Sequence, residues 1–347
     1  TAVLFVSHNL EEVAEHADRV TILSHAHVVR SQTAPITPAE LTEQLFGKAG
    51  GRRSERGGQS SEDRSRAGGR RSERGGQSSE DRVRPPTPWR RSEPEPGPVL
   101  VEFQGLTITD SRSGRSVGPL TGQVRSGRTT AILGLRDAGI DILEHFFSGQ
   151  TGSQRGALTM NHHRVPSRPK PSDFRRIGVA FLPSDRMTRS ASLTGTVEDN
   201  LIVVDRRRLH PGGFRKTDSI RAHTSGLLSR FDVTTTTESP LGELSGGTIQ
   251  KLILGRELAA KPAVMILTSP SAGLDVASQE RLRDEIQALT SQGAAVVLLS
   301  TELDEAERMA DEILVVYNGR SQGVFRSSDR HAIAEAMTGL TEASNRE

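Results

Sequence analysis

The residues best suited to bind an anion are Ser245, Gly246 and Gly247, which lie in the segment Leu244-Ser245-Gly246-Gly247. They precede a run with apolar residues at helical spacing from Leu252 to Leu258. A serine and two glycines at this position predict a helix start with exposed backbone N–H groups and a hydroxyl, which favour a bound anion. The same residues are also typical of an ordinary helix cap. The rest of the chain must therefore decide between the two interpretations.

A second glycine pattern begins after the short apolar strand predicted at 129–133. Gly134 and Gly139 are separated by four residues, and an apolar helix follows. Strand, glycine loop and helix form the context of a phosphate-binding loop. The lysine expected over the phosphates is replaced by Ile140, and the Ser or Thr that would ligate magnesium is replaced by Asp141. The loop therefore has the two glycines of the motif but not the lysine and the Ser or Thr that bind the triphosphate and its magnesium.

Uncharged polar residues stand directly after other apolar strands. They are Ser184 after the strand predicted at 177–182, Thr268 and Ser269 after 264–267, and Thr301 after 294–299. The carboxyl ends of parallel strands meet at one edge of a sheet, where open α/β sheets bind ligands.

Residues 1–47 repeat part of this pattern. An apolar strand at 2–6 is followed by His8 and by a helix at 10–17. A strand pair at 19–23 and 27–29 and a helix at 38–46 complete the segment. Because Thr1 leads straight into a buried strand, we expect the sequence to be a piece of a longer protein.

Residues 48–98 have a different composition. The segment 50–64 recurs without a mismatch at 68–82, and no large apolar residue lies between Phe46 and Val83. Such a segment has no face to bury and is predicted to be a disordered linker. Residues 50–93 carry 12 arginines against 7 acidic residues, a net charge of +5. A nucleic-acid contact is not expected, because no aromatic residue lies among the repeats to stack on bases.

The composition excludes several classes of protein. The chain has 347 residues, a formal net charge of +2 and no cysteine. A disulfide framework and a thiolate metal site are therefore excluded, which suits a reducing compartment. No apolar run approaches the roughly 18 residues that a membrane-spanning helix needs. A cytosolic or membrane-peripheral protein is expected.

Taken in order, these motifs resemble the nucleotide-binding domain of ABC transporters. The tandem ATP-binding subunit of bacterial ribose and galactose importers is similar in particular, because Pro183-Ser184-Asp185-Arg186 resembles a loop of that type. The segment around His8 matches the family's switch-histidine segment, and the segment around Thr301 occupies the equivalent place in the second domain. The resemblance covers 99–340 as one domain and 1–47 as the tail of a preceding domain, joined by the linker at 48–98. Residues 341–347 form a terminal tail.

The resemblance implies an α/β fold of the P-loop NTPase type, with a central mostly parallel sheet, an antiparallel β subdomain and a helical subdomain. It also exposes departures from the family. The Asp and Glu that serve magnesium and the attacking water are Thr268 and Ser269, the switch histidine is Thr301, and the polar-loop carboxylate is Ser184. Phosphoryl transfer depends on such positioned charges. We therefore predict that 99–340 does not hydrolyse ATP on its own glycine loop.

The family pairs its domains head to tail, which implies a role for the retained motif. Ser245, Gly246 and Gly247, with Gln250 beside them, would cover ATP and Mg²⁺ held by a first nucleotide-binding domain whose switch histidine is His8. Asp275 would contact that partner, and binding at Gly134, Gly139, Ile140 and Asp141 would be weak or absent. The implied partners are the first domain, transmembrane permease subunits and, indirectly, a solute-binding protein, at the cytoplasmic face of the membrane.

Two alternatives remain open at this point. A soluble tandem ABC protein acting on ribosomes or nucleic acid would use the basic linker, although paired glycines interrupt that linker four times. An inactive remnant of a transporter gene would keep the glycine motif without a use for it. The transported solute is not encoded in these motifs.

Overall fold

The computed structural model describes residues 13, 14, 16–24, 27–37, 40, 41, 44, 97–135, 138–150, 153–205, 209, 217–274 and 276–340. The predicted strand at 2–6, His8, almost all of the predicted linker and the tail at 341–347 lie outside these residues. The predicted strand pair is confirmed: β1 (Arg19–Ser24) pairs antiparallel with β2 (His27–Thr33). A small apolar cluster containing Ile22, Ile36 and Leu41 accompanies the pair.

The remaining strands and helices begin at Val99. The strands are β3 (Val99–Thr109), β4 (Ser116–Arg125), β5 (Thr129–Leu133), β6 (Ser153–Met160), β7 (His163–Arg164), β8 (Val179–Leu182), β9 (Val264–Thr268), β10 (Ala295–Ser300), β11 (Glu312–Tyr317) and β12 (Arg320–Arg326). The helices are α1 (Ile140–Phe147), α2 (Pro171–Arg176), α3 (Arg186–Arg189), α4 (Val197–Ile202), α5 (Thr217–Arg230), α6 (Gly246–Ala259), α7 (Val276–Ser291), α8 (Leu303–Met309) and α9 (Arg330–Thr338).

The central sheet has the strand order β12-β11-β5-β10-β9-β8. All neighbours in it are parallel except β12, which pairs antiparallel with β11 through a hairpin turn at Asn318-Gly319. Every residue of β5, β9 and β10 is buried, as expected for parallel strands covered on both faces. The fold is therefore the predicted α/β fold of the P-loop NTPase type.

A four-stranded antiparallel sheet of order β4-β3-β6-β7 packs with α1 around a second apolar cluster. β3 is continuous from Val99 to Thr109, and Gly118 lies inside β4. Gly118 has a φ of 126°, and a Cβ there would lie 2.3 Å from the Leu106 carbonyl oxygen. Glycine is required by this close approach of two strands, and not by a turn.

Helix α6, which follows the Ser-Gly-Gly motif, is held near its far end by buried charges. Glu257 is 1% exposed and accepts hydrogen bonds from Arg256 Nε (3.2 Å) and Nη2 (3.0 Å). Arg256 Nη1 also donates to the carbonyl oxygens of Ser190 (3.0 Å) and Asn200 (3.1 Å). Arg175 on α2 lies 2.5 Å from the second Glu257 oxygen as an ion pair. These bonds tie α6 to α2, to α4 and to the segment before α4.

Candidate functional site

Four strand ends meet at one edge of the central sheet, those of β5, β10, β9 and β8, the last through the pairing of Leu182 with Leu267. Leu133 at the end of β5 pairs with Ser300 at the end of β10, and Thr268 on β9 pairs with Leu299. The amide of Gly134 donates to the Ser300 carbonyl oxygen at 3.3 Å, and the amide of Ser269 donates to the Leu299 carbonyl oxygen at 2.9 Å. The glycine loop and the positions expected to carry catalytic groups are therefore neighbours.

Gly134 follows β5 and Gly139 directly precedes α1, the two places that the glycine pattern predicts. Gly139 has a φ of 102° and precedes α1, and a Cβ on it would lie 2.9 Å from Val117 Cβ. The side chain of Ile140, at the lysine position, is 3% exposed and packs in the apolar cluster between the antiparallel sheet and α1. Asp141 is exposed and pairs with Arg115 at 3.3 Å. The first turn of α1 thus presents a carboxylate where a phosphate would need a cation.

The ends of β9 and β10 carry no charged side chain. Thr268 is 2% exposed, and its hydroxyl has no hydrogen-bond partner among the described residues. Ser269 is partly buried and has a φ of 40°, in the left-handed region that non-glycine residues rarely adopt. Thr301 is exposed just after β10. These positions offer hydroxyls and no carboxylate for a magnesium ion or an attacking water.

Ser184, at the polar-loop position, is already engaged within the chain. Its hydroxyl donates to both oxygens of the buried Glu144 carboxylate, at 3.0 and 2.8 Å, and its amide reaches the same group at 3.3 Å. Arg189 pairs with Glu144 at 2.5 Å. These bonds link the segment Pro183–Arg186, called the polar loop from here on, to α1.

Arg186 was not identified as a site residue from the sequence. It is 6% exposed, and its Nη2 donates to the carbonyl oxygen of Ser269 at 2.8 Å. Burial lowers the pKa of Arg186, while the charges of Glu305 and Glu144 raise it. Its position in the Pro183–Arg186 segment was the signal available, because that segment follows a strand of the site edge. A buried cation therefore already occupies this edge.

The segment Leu244-Ser245-Gly246-Gly247, called the signature turn from here on, begins α6 as predicted. Ser245 is the N-cap, and its Oγ accepts a hydrogen bond from the Thr248 amide at 3.3 Å. Gly246 and Gly247 are exposed, and a Cβ added to either would meet no atom within 4 Å. Since neither glycine needs a positive φ, the chain itself gives no steric reason for them. They leave open space over a helix N-terminus that attracts anions.

A cavity of about 390 Å³ lies between the polar loop and the signature turn. Its lining includes Ser184, Arg186, Gly246, Gly247 and Gln250. Gly134, Gly139, Ile140 and Asp141 do not line this cavity. Asp275 lies outside the described residues, as does His8.

The two sites differ in their fit to ATP and Mg²⁺. On the glycine loop side the residues do not fit a magnesium triphosphate, because Ile140 is buried in the core and Asp141 is negative. No cluster of three or more possible metal ligands occurs among the described residues. The signature turn fits an anion supplied from outside, because its N-terminal N–H groups are exposed and uncrowded.

Comparison with known proteins agrees with this geometry. The family model described as "ABC transporter" matches residues 117–272. The chain is 29% identical over 350 residues to the "Glucose import ATP-binding protein TsgD13" of Haloferax volcanii, covering 99% of this chain and 57% of that protein. It is 28% identical over 353 residues to the "Ribose import ATP-binding protein RbsA 1" of Rubrobacter xylanophilus, covering 98% of this chain and 60% of that protein.

A nucleoside relative and two solved structures extend the comparison. The "Nucleoside import ATP-binding protein NupA" of Lactococcus lactis is 25% identical, covering 93% of this chain and 58% of that protein. A solved "ATP binding subunit of ABC transporter" superposes with a TM-score of 0.56 at 21% identity, covering 70% of this chain and 99% of that one. A nucleotide-free ATP-binding cassette gives a TM-score of 0.56 at 16% identity, covering 70% and 98%. These structures support the fold.

The chain spans about three fifths of the length of the curated relatives it matches. Among the described residues, no helix is both long and apolar enough to cross a bilayer. The strand order, the glycine loop at the end of β5, the signature turn before α6 and the family match all agree. Residues 117–272 therefore carry an ATP-binding domain of the ABC transporter family.

Proposed function

We propose that this chain is the second half of a tandem ATP-binding subunit of an ABC importer, and that this half does not hydrolyse ATP on its own glycine loop. Its task is to supply the signature turn to a composite site, where ATP and Mg²⁺ are held by a first nucleotide-binding domain. Ser245, Gly246 and Gly247 would cover the triphosphate, and Asp275 would contact the partner. The tail at 1–47, with His8 as the switch histidine, would belong to the first domain.

The observation that carries the proposal is the contrast between the two glycine motifs. The glycine loop lacks the groups that bind phosphate, while the signature turn retains two glycines that this chain does not need sterically. Loss of three hydrogen bonds to charged groups, at about 1.5 to 3 kcal/mol each, would weaken triphosphate binding by roughly three to six powers of ten. A ligand brought by another domain accounts for both features.

The proposed substrate class and partners rest on the relatives. Those compared above are ATP-binding proteins for glucose, ribose and nucleoside import. A sugar or a sugar-containing solute, carried by transmembrane permease subunits and delivered by a solute-binding protein, is the corresponding proposal for this chain. The subunit would then work at the cytoplasmic face of the membrane, without nucleic acid.

The experiment is ATP hydrolysis by the subunit assembled with its first domain and permease. Gly247→Asp should lower the rate at least tenfold, because a carboxylate would meet the triphosphate at a helix N-terminus worth up to about 2 kcal/mol to an anion. An acidic residue in the first turn stabilises the helix itself, so the loss would not reflect unfolding. Gly226→Asp is the matched control, since Gly226 is an exposed helical glycine with open space around it.

Equal rates for the Gly247→Asp and Gly226→Asp variants would contradict the proposed role of the signature turn. The claim that this half is not hydrolytic has a separate test on the chain alone. Steady phosphate release from Mg-ATP by the chain alone, abolished by Ser269→Ala, would contradict it.

A further inference from the structure

Three consecutive residues after β9, Ser269-Pro270-Ser271, are each bonded by a different element of the domain. We call them the strand-end loop. This loop contains the position where the family carries its catalytic glutamate, here Ser269. Its bonds come from Arg186 at the start of α3, Gln250 on α6 and Glu305 on α8. The strand-end loop therefore connects α3, α6 and α8 through hydrogen bonds.

The bond from Arg186 depends on an unusual backbone conformation. Ser269 has a φ of 40°, its amide donates to Leu299, and its carbonyl oxygen accepts the Arg186 guanidinium at 2.8 Å. Non-glycine residues held in this region persist only where the surrounding structure fixes them. The bond from a 6% exposed arginine supplies that constraint.

The bond from Gln250 reaches the next carbonyl. Its side-chain amide donates to the Pro270 carbonyl oxygen at 3.1 Å, five residues after Ser245 on the same helix. Gln250 and Arg186 both line the 390 Å³ cavity beside Gly246 and Gly247. Two adjacent carbonyl groups of one loop therefore hold the polar loop and the signature helix together.

Ser271, the third residue of the loop, is held by the carboxylate of Glu305 on α8. Glu305, 2% exposed, accepts hydrogen bonds from the Ser271 amide at 2.8 Å and from the Ser271 hydroxyl at 2.5 Å. It also accepts one from the Ser300 hydroxyl at 2.5 Å, at the end of β10. The strand-end loop is thereby fixed to the central sheet and can act as a rigid support.

We propose that Gln250 and Arg186 are positioning residues that seat the signature turn on the strand-end loop, so that its placement does not depend on a nucleotide bound to this domain. Only the use of the seated turn rests on the proposed function; the seating is a property of this chain. The loop's bonds come from side chains of this chain, of which Arg186 and Glu305 are buried and Gln250 is partly buried. ATP on another domain would then meet a turn that is already in place.

The test is amide hydrogen exchange on the full chain, which requires no first domain. Gln250→Glu keeps the size of the side chain and replaces the donor with an acceptor that cannot bond the Pro270 carbonyl oxygen. We expect exchange at Ile249–Leu254 to rise about threefold to tenfold, as the loss of one neutral hydrogen bond allows. Gln287→Glu on the exposed face of α7 is the matched control and should leave this segment unchanged.

The pattern of exchange separates positioning from general stability. Amides of β10 should exchange at the wild-type rate in both variants, and Mg-ATP should leave the wild-type pattern of α6 unchanged. Arg186→Lys, which keeps a cation between Glu144 and Glu305, should loosen the same segment less than Gln250→Glu does. An unchanged α6 in Gln250→Glu, an equal rise throughout β10, or ATP-dependent protection of α6 in the wild type would each overturn the proposal. Failure of the composite-site assay would leave these expectations intact.

Discussion

Truncation of Glu257 tests how the signature helix is anchored to the rest of the domain. Glu257 is 1% exposed and faces Arg256, which is 4% exposed, while Arg175 approaches from α2. Glu257→Ala would leave the Arg256 guanidinium buried without a carboxylate. Breaking a buried ion pair by removing one partner costs about 3 to 5 kcal/mol.

The structure places the expected loss at the lower end of that range. Arg256 retains two backbone acceptors, the carbonyl oxygens of Ser190 and Asn200, after the carboxylate is removed. We therefore expect Glu257→Ala to lower the free energy of unfolding by about 3 kcal/mol. Glu257→Gln keeps an acceptor oxygen and should lose about half as much, since the charge is removed but one hydrogen bond remains.

The assay is urea unfolding at 25 °C, with the slope of the transition checked to be the same in all variants. Glu280→Ala is the control, because Glu280 is an exposed acidic residue on α7 and its removal should stay within about 0.5 kcal/mol of wild type. A change below about 1 kcal/mol for Glu257→Ala would refute the reasoning. It would mean that the buried charges are not what ties α6 to α2 and α4.

Three other outcomes follow from the site. Ile140→Lys, which restores the family's lysine, should lower the free energy of unfolding by at least about 2 kcal/mol in the same assay, because the side chain is 3% exposed in an apolar cluster. Gly139→Ala should destabilise by about 1 to 3 kcal/mol, because φ is 102° and the new Cβ would lie 2.9 Å from Val117 Cβ; wild-type stability would exclude this clash. The hydroxyl and amide of Thr188 hold the pKa of Asp185 below its ordinary value of about 3.9, so the stability that this cap contributes is present above that pH and is lost as the pH falls through the lower folded value. Carboxyl NMR titration measures that pKa, and a value at or above the ordinary one would contradict the assignment.

The parts of the fold that sequence patterns predicted are those with one dominant local signal. The strands β9 and β10 are apolar up to their last residue and β5 ends in three apolar residues, while Asn318-Gly319 supplies the two positive φ angles of a hairpin turn. Ser245 capped α6 as its residue type indicated. In each case the local preference and the final environment agree.

The elements that were missed depend on distant contacts. The hairpin of β6 and β7 is largely polar, and its turn uses positive φ at Asn161 and His162, which no glycine marks. Gly118 is likewise required by the close approach of β3, a strand contact that the local sequence does not show. The pattern of local residues cannot reveal such an approach.

The sequence predicted the elements that carry the two glycine motifs, but not most of the contacts around them. The spacing of Gly134, Gly139 and Ser245 placed the two glycine motifs correctly in their elements. The burial of Arg186 and the bond from Gln250 to Pro270 were not predictable, because arginine and glutamine are usually exposed and their partners are backbone carbonyls. The departures at Ile140, Thr268 and Ser269 were visible in the sequence. The structure adds that Ser184 and Arg186 beside them are hydrogen-bonded within the chain, to Glu144 and to the Ser269 carbonyl oxygen.

The central claim is that this domain does not hold ATP on its own glycine loop. Equilibrium dialysis of the full chain against labelled ATP with Mg²⁺ tests it most directly. A glycine loop that keeps the charged groups and binds ATP with a Kd of about 10 µM serves as the reference. A loss of three to six powers of ten in affinity would raise that Kd to the millimolar range or beyond. The account predicts no saturable binding below about 1 mM. Saturable micromolar binding that Asp141→Lys strengthens and Gly247→Asp leaves unchanged would contradict it, because such ATP would lie on the glycine loop of this chain.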